Sequence, residues 1–179
     1  MARRGRHVLV LLALALAGCA PTPHLSEIAA TLPPPGNHAR LFVYRDYDLG
    51  QSLLWEPVYV NGAQIGGVGA GHVLVCDLPP GVYTIAPRAE HLWPDQAKTV
   101  HVAAGEVVYA KVGSFWMGSG TRPFKLAALR PGDQLVDMTV SGGFALYPVF
   151  VIMLEDPAVG QREVGALWYA PCSPPYAPG

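Results

Sequence analysis

The side chains best able to do chemistry are dispersed along this 179-residue chain. His24, His38, His72, His91 and His101 lie far apart, and none falls into the H-x-x-x-H, H-E-x-x-H or paired Cys/His spacing of a metal site. His72 and His101 meet only if their strands are brought together by the fold. Ser114 lies between Gly113 and Phe115, and Ser141 precedes Gly142-Gly143, so neither sits in the G-x-S-x-G turn that presents a nucleophilic hydroxyl. The glycine clusters at 66–71 and 118–120 match neither G-x-G-x-x-G nor a phosphate-binding loop, because no Lys-Ser/Thr follows. Asp46 and Asp48 flank Tyr47 and offer two carboxylates to Ca²⁺, short of the roughly six to eight oxygens that ion takes. No catalytic residue, metal ligand or cofactor is assigned.

The cysteines say more. Arg3, Arg4 and Arg6 precede ten apolar residues, Val8 to Ala17. As a helix this run spans about 15 Å, half of a bilayer core of about 30 Å, which suits the core of an export signal rather than a membrane span. It ends in Leu16-Ala17-Gly18-Cys19, which resembles the lipobox of bacterial lipoproteins. In that family a diacylglycerol is placed on the cysteine thiol and the signal is cut just before it. The resemblance implies a signal peptide at 1–18 and a membrane anchor through lipid on Cys19. Ala20 at the next position implies the outer membrane, with the protein facing the periplasm. Cys76 and Cys172 then remain in a compartment that permits disulfides. They either close a loop of about 96 residues or stay apart, Cys76 as a small buried hydrophobe and Cys172 as a free thiol.

Removing the signal leaves nine Lys and Arg against thirteen Asp and Glu, a net charge of about −4. No basic stripe is available to neutralise phosphates, so a nucleic-acid partner is excluded.

Positioning falls to β-structure. Pro21, Pro23 and Pro33-Pro34-Pro35 mark a Pro-rich tether over 19–38, with an optional short helix where Leu25, Ile28 and Leu32 recur at helical spacing. From Ala39 short apolar runs alternate with Gly and Pro, predicting strands near 39–45, 57–61, 63–67, 72–78, 82–88, 97–103, 106–113, 123–129 and 146–154. Asn61-Gly62 is a two-residue hairpin signal, and Pro79-Pro80-Gly81 and Ala103-Ala104-Gly105 are further tight reversals. Asp156-Pro157 starts a helix to about Leu167. The expectation is a mainly β protein: an antiparallel β-sandwich of about eight or nine strands over 39–170, with one C-terminal helix and a flexible tail at 171–179. The uncharged run from Met138 to Leu154 is broken by Gly142, Gly143 and Pro148 and reads as a loop and buried strand.

The opening strand Ala39-Arg40-Leu41-Phe42-Val43-Tyr44-Arg45 resembles that of a family of small bacterial lipoproteins whose shared domain is catalogued as a domain of unknown function. Val58-Tyr59-Val60-Asn61-Gly62, Ile65-Gly66 and Leu78-Pro79-Pro80-Gly81-Val82-Tyr83 extend the likeness. Their order is also similar to PEGA-type modules, small surface-associated β-sandwiches. These motifs imply fold and compartment, and no activity.

With alternating strand directions, the tight turns share one end of the sandwich and the longer loops at 46–56, 68–71, 89–96 and 114–122 share the other. Trp55, Trp93 and Trp116 fall in those loops, where they either plug the open core or form a binding face. A tether entering at Ala39 would point that face away from the membrane. The function expected is a membrane-anchored, non-catalytic binding or adaptor module for an envelope protein or cell-wall glycan. The alternative is a small envelope hydrolase, for which two well-placed carboxylates would suffice, or a metal-binding protein.

Overall fold

A computed structural model describes residues 22–33, 35–47, 53–87, 96–117 and 147–173, with the backbone alone for 114–117 and 147–149. The described strands are β1 (Ala39–Arg45), β2 (Trp55–Val60), β3 (Ala63–Gly69), β4 (His72–Leu78), β5 (Gly81–Ala86), β6 (Lys98–Val102), β7 (Val107–Met117), β8 (Tyr147–Glu155) and β9 (Trp168–Pro171). Two helices accompany them, the one-turn α1 (Leu25–Ile28) and α2 (Pro157–Val164). Sheet A has the order β8-β7-β1-β4-β9 and sheet B the order β3-β2-β5-β6. The two sheets pack face to face as a β-sandwich, and the protein is mainly β.

Alternation in sequence becomes the inner core. Leu41, Val43, Leu74, Cys76, Leu78, Ala110 and Val112 of sheet A meet Val58, Val60, Ile65, Val68, Tyr83, Ile85 and Val102 of sheet B. At a spacing of two these residues share one face of each strand, except in β3, where a register shift against β2 lets Ile65 and Val68, three apart, both face inward. Asn61 and Gly62 adopt φ of 49° and 79°, which only the hairpin chemistry of Asn-Gly supplies cheaply between β2 and β3.

Consecutive strands β1 to β8 do run in opposite directions, yet the pairing is not wholly antiparallel. β1 pairs in parallel with β7, and β4 in parallel with β9. The chain steps from one sheet to the other at 46–54, 70–71, 79–80 and 103–106, so neighbours within sheet A are distant in sequence. β1 and β7 both start at the tight-turn end. After β8, α2 carries the chain back to the opposite end, and β9 runs down beside β4. β9 has no counterpart among the strands expected from sequence, where the helix ends near Leu167 and a tail begins at 171. Its Trp168 pairs with His72, and the stretch continues through Cys172 N to Val75 O at 3.2 Å and Ser173 N to Ile65 O at 2.9 Å. A flexible tail from 171 is therefore corrected, since 171–173 are hydrogen-bonded to the sandwich. The strand expected at 123–129 lies outside the described residues.

The outer face of sheet A is also apolar, which is why β1 is buried at all seven positions. Phe42, Tyr44, Val73 and Tyr109 form a second core with Leu25, Val164 and Leu167, flanked by Ile28 and Leu32. One side of the cover is α2, started by Asp156, whose carboxylate accepts from Ala158 N at 2.9 Å with Pro157 at the first helical position. The other side is the segment expected to be a tether. It crosses the sheet from Pro23, beside Trp168, to Pro33, whose carbonyl accepts from Arg40 Nη2 at 2.6 Å. A helix of one turn has little stability alone; α1 persists because Leu25 and Ile28 land on this face.

Gly160 of α2 tests the cover. A Cβ there would overlap the Tyr109 ring and also its Cβ, which no side-chain rotation can move aside. Gly160→Ala is expected to lose about 1–3 kcal/mol by overpacking, more than the ~1 kcal/mol that alanine returns in a helix. Gly165 has φ −58° and open space around it, so Gly165→Ala should be neutral or up to about 1 kcal/mol stabilising. Thermal unfolding of the two variants checks the difference in sign.

Candidate functional site

Among the described residues the exposed aromatics gather at the long-loop end, and Trp55 is not a plug over the core. The core is closed there by Arg45, Glu56 and Gln96, all buried, and by Phe150. Arg45 donates from Nη1 to Leu54 O at 2.9 Å and holds its guanidinium 5.0 Å from the Phe150 ring centroid. Gln96 Nε2 donates to Phe150 O at 3.0 Å. Arg45 was missed in sequence because charged residues at strand ends usually face water. The alternation that puts Leu41 and Val43 inside does place position 45 inside as well.

Trp55 begins β2 rather than sitting in a loop, and it lies on the outer face of sheet B, 58% exposed. It stands directly across from Gly69 and diagonally from Gly67, and a Cβ at either glycine would overlap its ring. An aromatic lying over cross-strand glycines is a recurrent sheet device. Trp116 is likewise in a strand, paired with Pro148 in the β7–β8 ladder. The loop placement expected for both is corrected: β2 and β7 extend further than propensity alone indicated, because cross-strand partners were available. Trp93 lies outside the described residues.

Trp168, not singled out in the sequence, joins Trp55 at this end. Ring contacts run from Trp55 to His72 (5.1 Å, edge-on), and His72 pairs with Trp168 across β4–β9. Trp168 stacks on His24 at 3.8 Å. His72 and His24 are oriented by the carbonyls of Ala70 and Ala166, at 3.0 and 2.8 Å from their Nδ1 atoms. Tyr47, 67% exposed, borders Gly71 together with Trp168, and Leu53 is 97% exposed. His101, on β6 of sheet B, is not brought to His72 of sheet A.

A polar cluster ties α2 to sheet A. Tyr44 donates to Glu163 Oε2 at 2.6 Å, and Lys111 bonds Glu163 at 3.0 Å and also Asp46. Burial and the Glu163 hydrogen bond push the Tyr44 hydroxyl far above its ordinary pKa, so it serves as a donor. Burial works to lower the Lys111 pKa, but the bonds to Asp46 and Glu163 outweigh it and leave the ammonium above the ordinary lysine value. Asp46 is thus engaged by Lys111, and Asp48 lies outside the described residues. Among the described residues no group of three His, Cys, Asp or Glu side chains could hold a metal ion. Nor is any described helix long and apolar enough to cross a membrane. Cys19 lies outside the described residues.

Cys76 and Cys172 are joined as a disulfide with Cα atoms 5.2 Å apart, 96 residues apart in sequence. Cys76 is buried in the inner core, and the bond ties β4 to the end of β9. Closing so long a loop contributes about 4–5 kcal/mol on the chain-entropy model. Protein purified without reductant and then denatured should therefore titrate no free thiol at these two positions. Cys172→Ala should expose one thiol and lower the melting temperature, and two reactive thiols in the unaltered protein would refute the bond.

The comparisons with known proteins extend over part of this architecture. No curated protein and no solved structure matches the chain. Residues 35–118, which take in β1 to β7, match a family model, while the α1 segment, β8, α2 and β9 lie beyond it. Over residues 35–118, then, the chain is similar to the family described as Protein of unknown function (DUF2846).

Proposed function

We propose that this protein is a bacterial envelope lipoprotein, anchored through lipid on Cys19 in the outer membrane and facing the periplasm. Its sandwich acts there as a non-catalytic binding or adaptor module for an envelope protein or cell-wall glycan. The signal-like start and Leu16-Ala17-Gly18-Cys19 support the anchor. The order of strands and turns, similar to PEGA-type modules, supports a surface-associated role.

The observation that carries the binding reading is the asymmetry of the two outer faces. Sheet A is covered by the α1 segment and α2. Sheet B has no such cover among the described residues, and presents Trp55, Val82, the Thr84–Thr99 hydroxyl pair (3.1 Å) and His101 to solvent. An uncovered sheet face with exposed apolar and hydroxyl side chains suits a shallow protein or glycan contact. The inner faces of the described strands, by contrast, pack on one another through apolar side chains, and the polar cluster of Tyr44, Lys111 and Glu163 is spent on holding α2.

Two measurements test this. Cys19→Ala should abolish acyl labelling and leave the signal uncleaved, and label retained in that variant would sink the anchor. A photo-crosslinking residue at Val82 or His101 should yield an adduct with an envelope protein or glycan strand in intact cells. The same residue at Arg162, exposed on the α2 side, should not. Equal yields from both sides would remove the open sheet as the binding face.

A further inference from the structure

We infer that the end of the sandwich bearing Tyr47, Leu53, Trp55 and Trp168 rests on the surface of the membrane that holds the lipid on Cys19. This rests on the anchor proposed above and reverses the orientation expected from sequence, in which a free tether led from the tight-turn end.

The chain does not leave the sandwich at Ala39. It is fastened at the opposite end: Tyr169 N donates to Pro23 O at 2.9 Å, Leu25 N to Leu167 O at 2.9 Å and Ser26 N to Gly165 O at 3.0 Å. The His24 ring stacks on Trp168, and Leu25 is buried beneath the segment. Cys19 precedes Pro23 by only four positions, a reach of at most about 14 Å when fully extended. Strand β1, from Ala39 to Arg45, is itself about 20 Å long at the usual rise. The leash is therefore shorter than the domain it holds. The tight-turn end cannot meet the bilayer while Pro23 stays fastened, whereas the aromatic end has the bilayer within a few residues.

The surface there has the matching chemistry. Of the large apolar side chains most exposed among the described residues, Tyr47, Leu53, Trp55 and Trp168 are at this end, while Val82 and Leu154 are elsewhere. Tryptophan and tyrosine, apolar in body with one polar atom, favour the headgroup region, and a leucine exposed at its rim can enter the acyl boundary. Asp46, the carboxylate beside Tyr47, is ion-paired with Lys111, which it shares with Glu163, so its repulsion from a negatively charged leaflet is partly offset. The domain is itself acidic, so apolar contact rather than charge drives the approach. Each contact is weak, but a short leash presents it at an effective concentration in the millimolar range, which a patch of a few side chains can exploit.

The test uses the full chain, processed and acylated in cells, purified and reconstituted in vesicles of phosphatidylethanolamine and phosphatidylglycerol. A benzophenone side chain replaces Leu53 in one sample and Ala104, at the tight-turn end, in another; both positions are exposed and neither should disturb the fold. Illumination should give several-fold more phospholipid adduct from position 53 than from 104. Equal yields, or more from 104, would overturn the inference, as would capture of added cell-wall glycan at position 53 in place of lipid. The mass of the N-terminal peptide, taken from the same sample, separates the two levels. An unacylated chain removes both the anchor and the orientation. An acylated chain silent at 53 removes the orientation alone.

Discussion

Strand β1 carries apolar side chains on both faces, Leu41 and Val43 toward sheet B and Phe42 and Tyr44 away from it, and the rest of the molecule is arranged to bury both. A two-sheet sandwich covers only one face of each sheet. The outer face of sheet A therefore needs a further layer, and the chain supplies it from its two ends: the segment around α1 before the sandwich begins and α2 after β8. The same cover protects the edge. β9 would present a free row of backbone donors and acceptors, and Pro23 to Leu25 bond along it.

Charged groups sit at the seams of this construction. Arg40 forms a bidentate pair with Asp77 (2.7 and 2.8 Å) and bonds Pro33 O, fixing the lower end of the N-terminal segment. Lys111, Glu163 and Tyr44 fix α2 at mid-sheet. Such half-buried pairs add little net stability compared with apolar packing, but removing one partner strands the other, so they register the layers against each other. The disulfide adds a covalent tie where β9 is only four residues long and could not hold by itself.

Among the described residues one sheet is covered and the other is not, which gives the molecule distinct sides. Sheet A is an internal support. The described part of sheet B keeps an open outer face, bounded at one end by Trp55 lying over Gly67 and Gly69. The aromatic row at that end exists because β3 and β4 are joined across the two sheets by Ala70-Gly71, which brings Trp55 on one sheet beside His72 and Trp168 on the other.

What the sequence determined by itself is everything that depends on near neighbours. The period-two runs in β1, β4 and β5 place their inward residues correctly. Asn61-Gly62 specifies its hairpin through positive φ, Asp156-Pro157 starts α2 by capping, and the direction of successive strands follows from short turns. Tertiary structure decided which distant strands pair. That choice made β1–β7 and β4–β9 parallel, made an edge strand of residues 168–171 where none is expected from sequence, and laid an expected tether across sheet A. None of these leaves a local periodic signal. β9 finds β4 some hundred residues away, and Leu25, Ile28 and Leu32 become ordered only because an apolar face wide enough to receive them has been built elsewhere. Burial energy depends on surface removed from water by whatever partner is nearest in space, and nearness in space is not written in any one stretch of the chain.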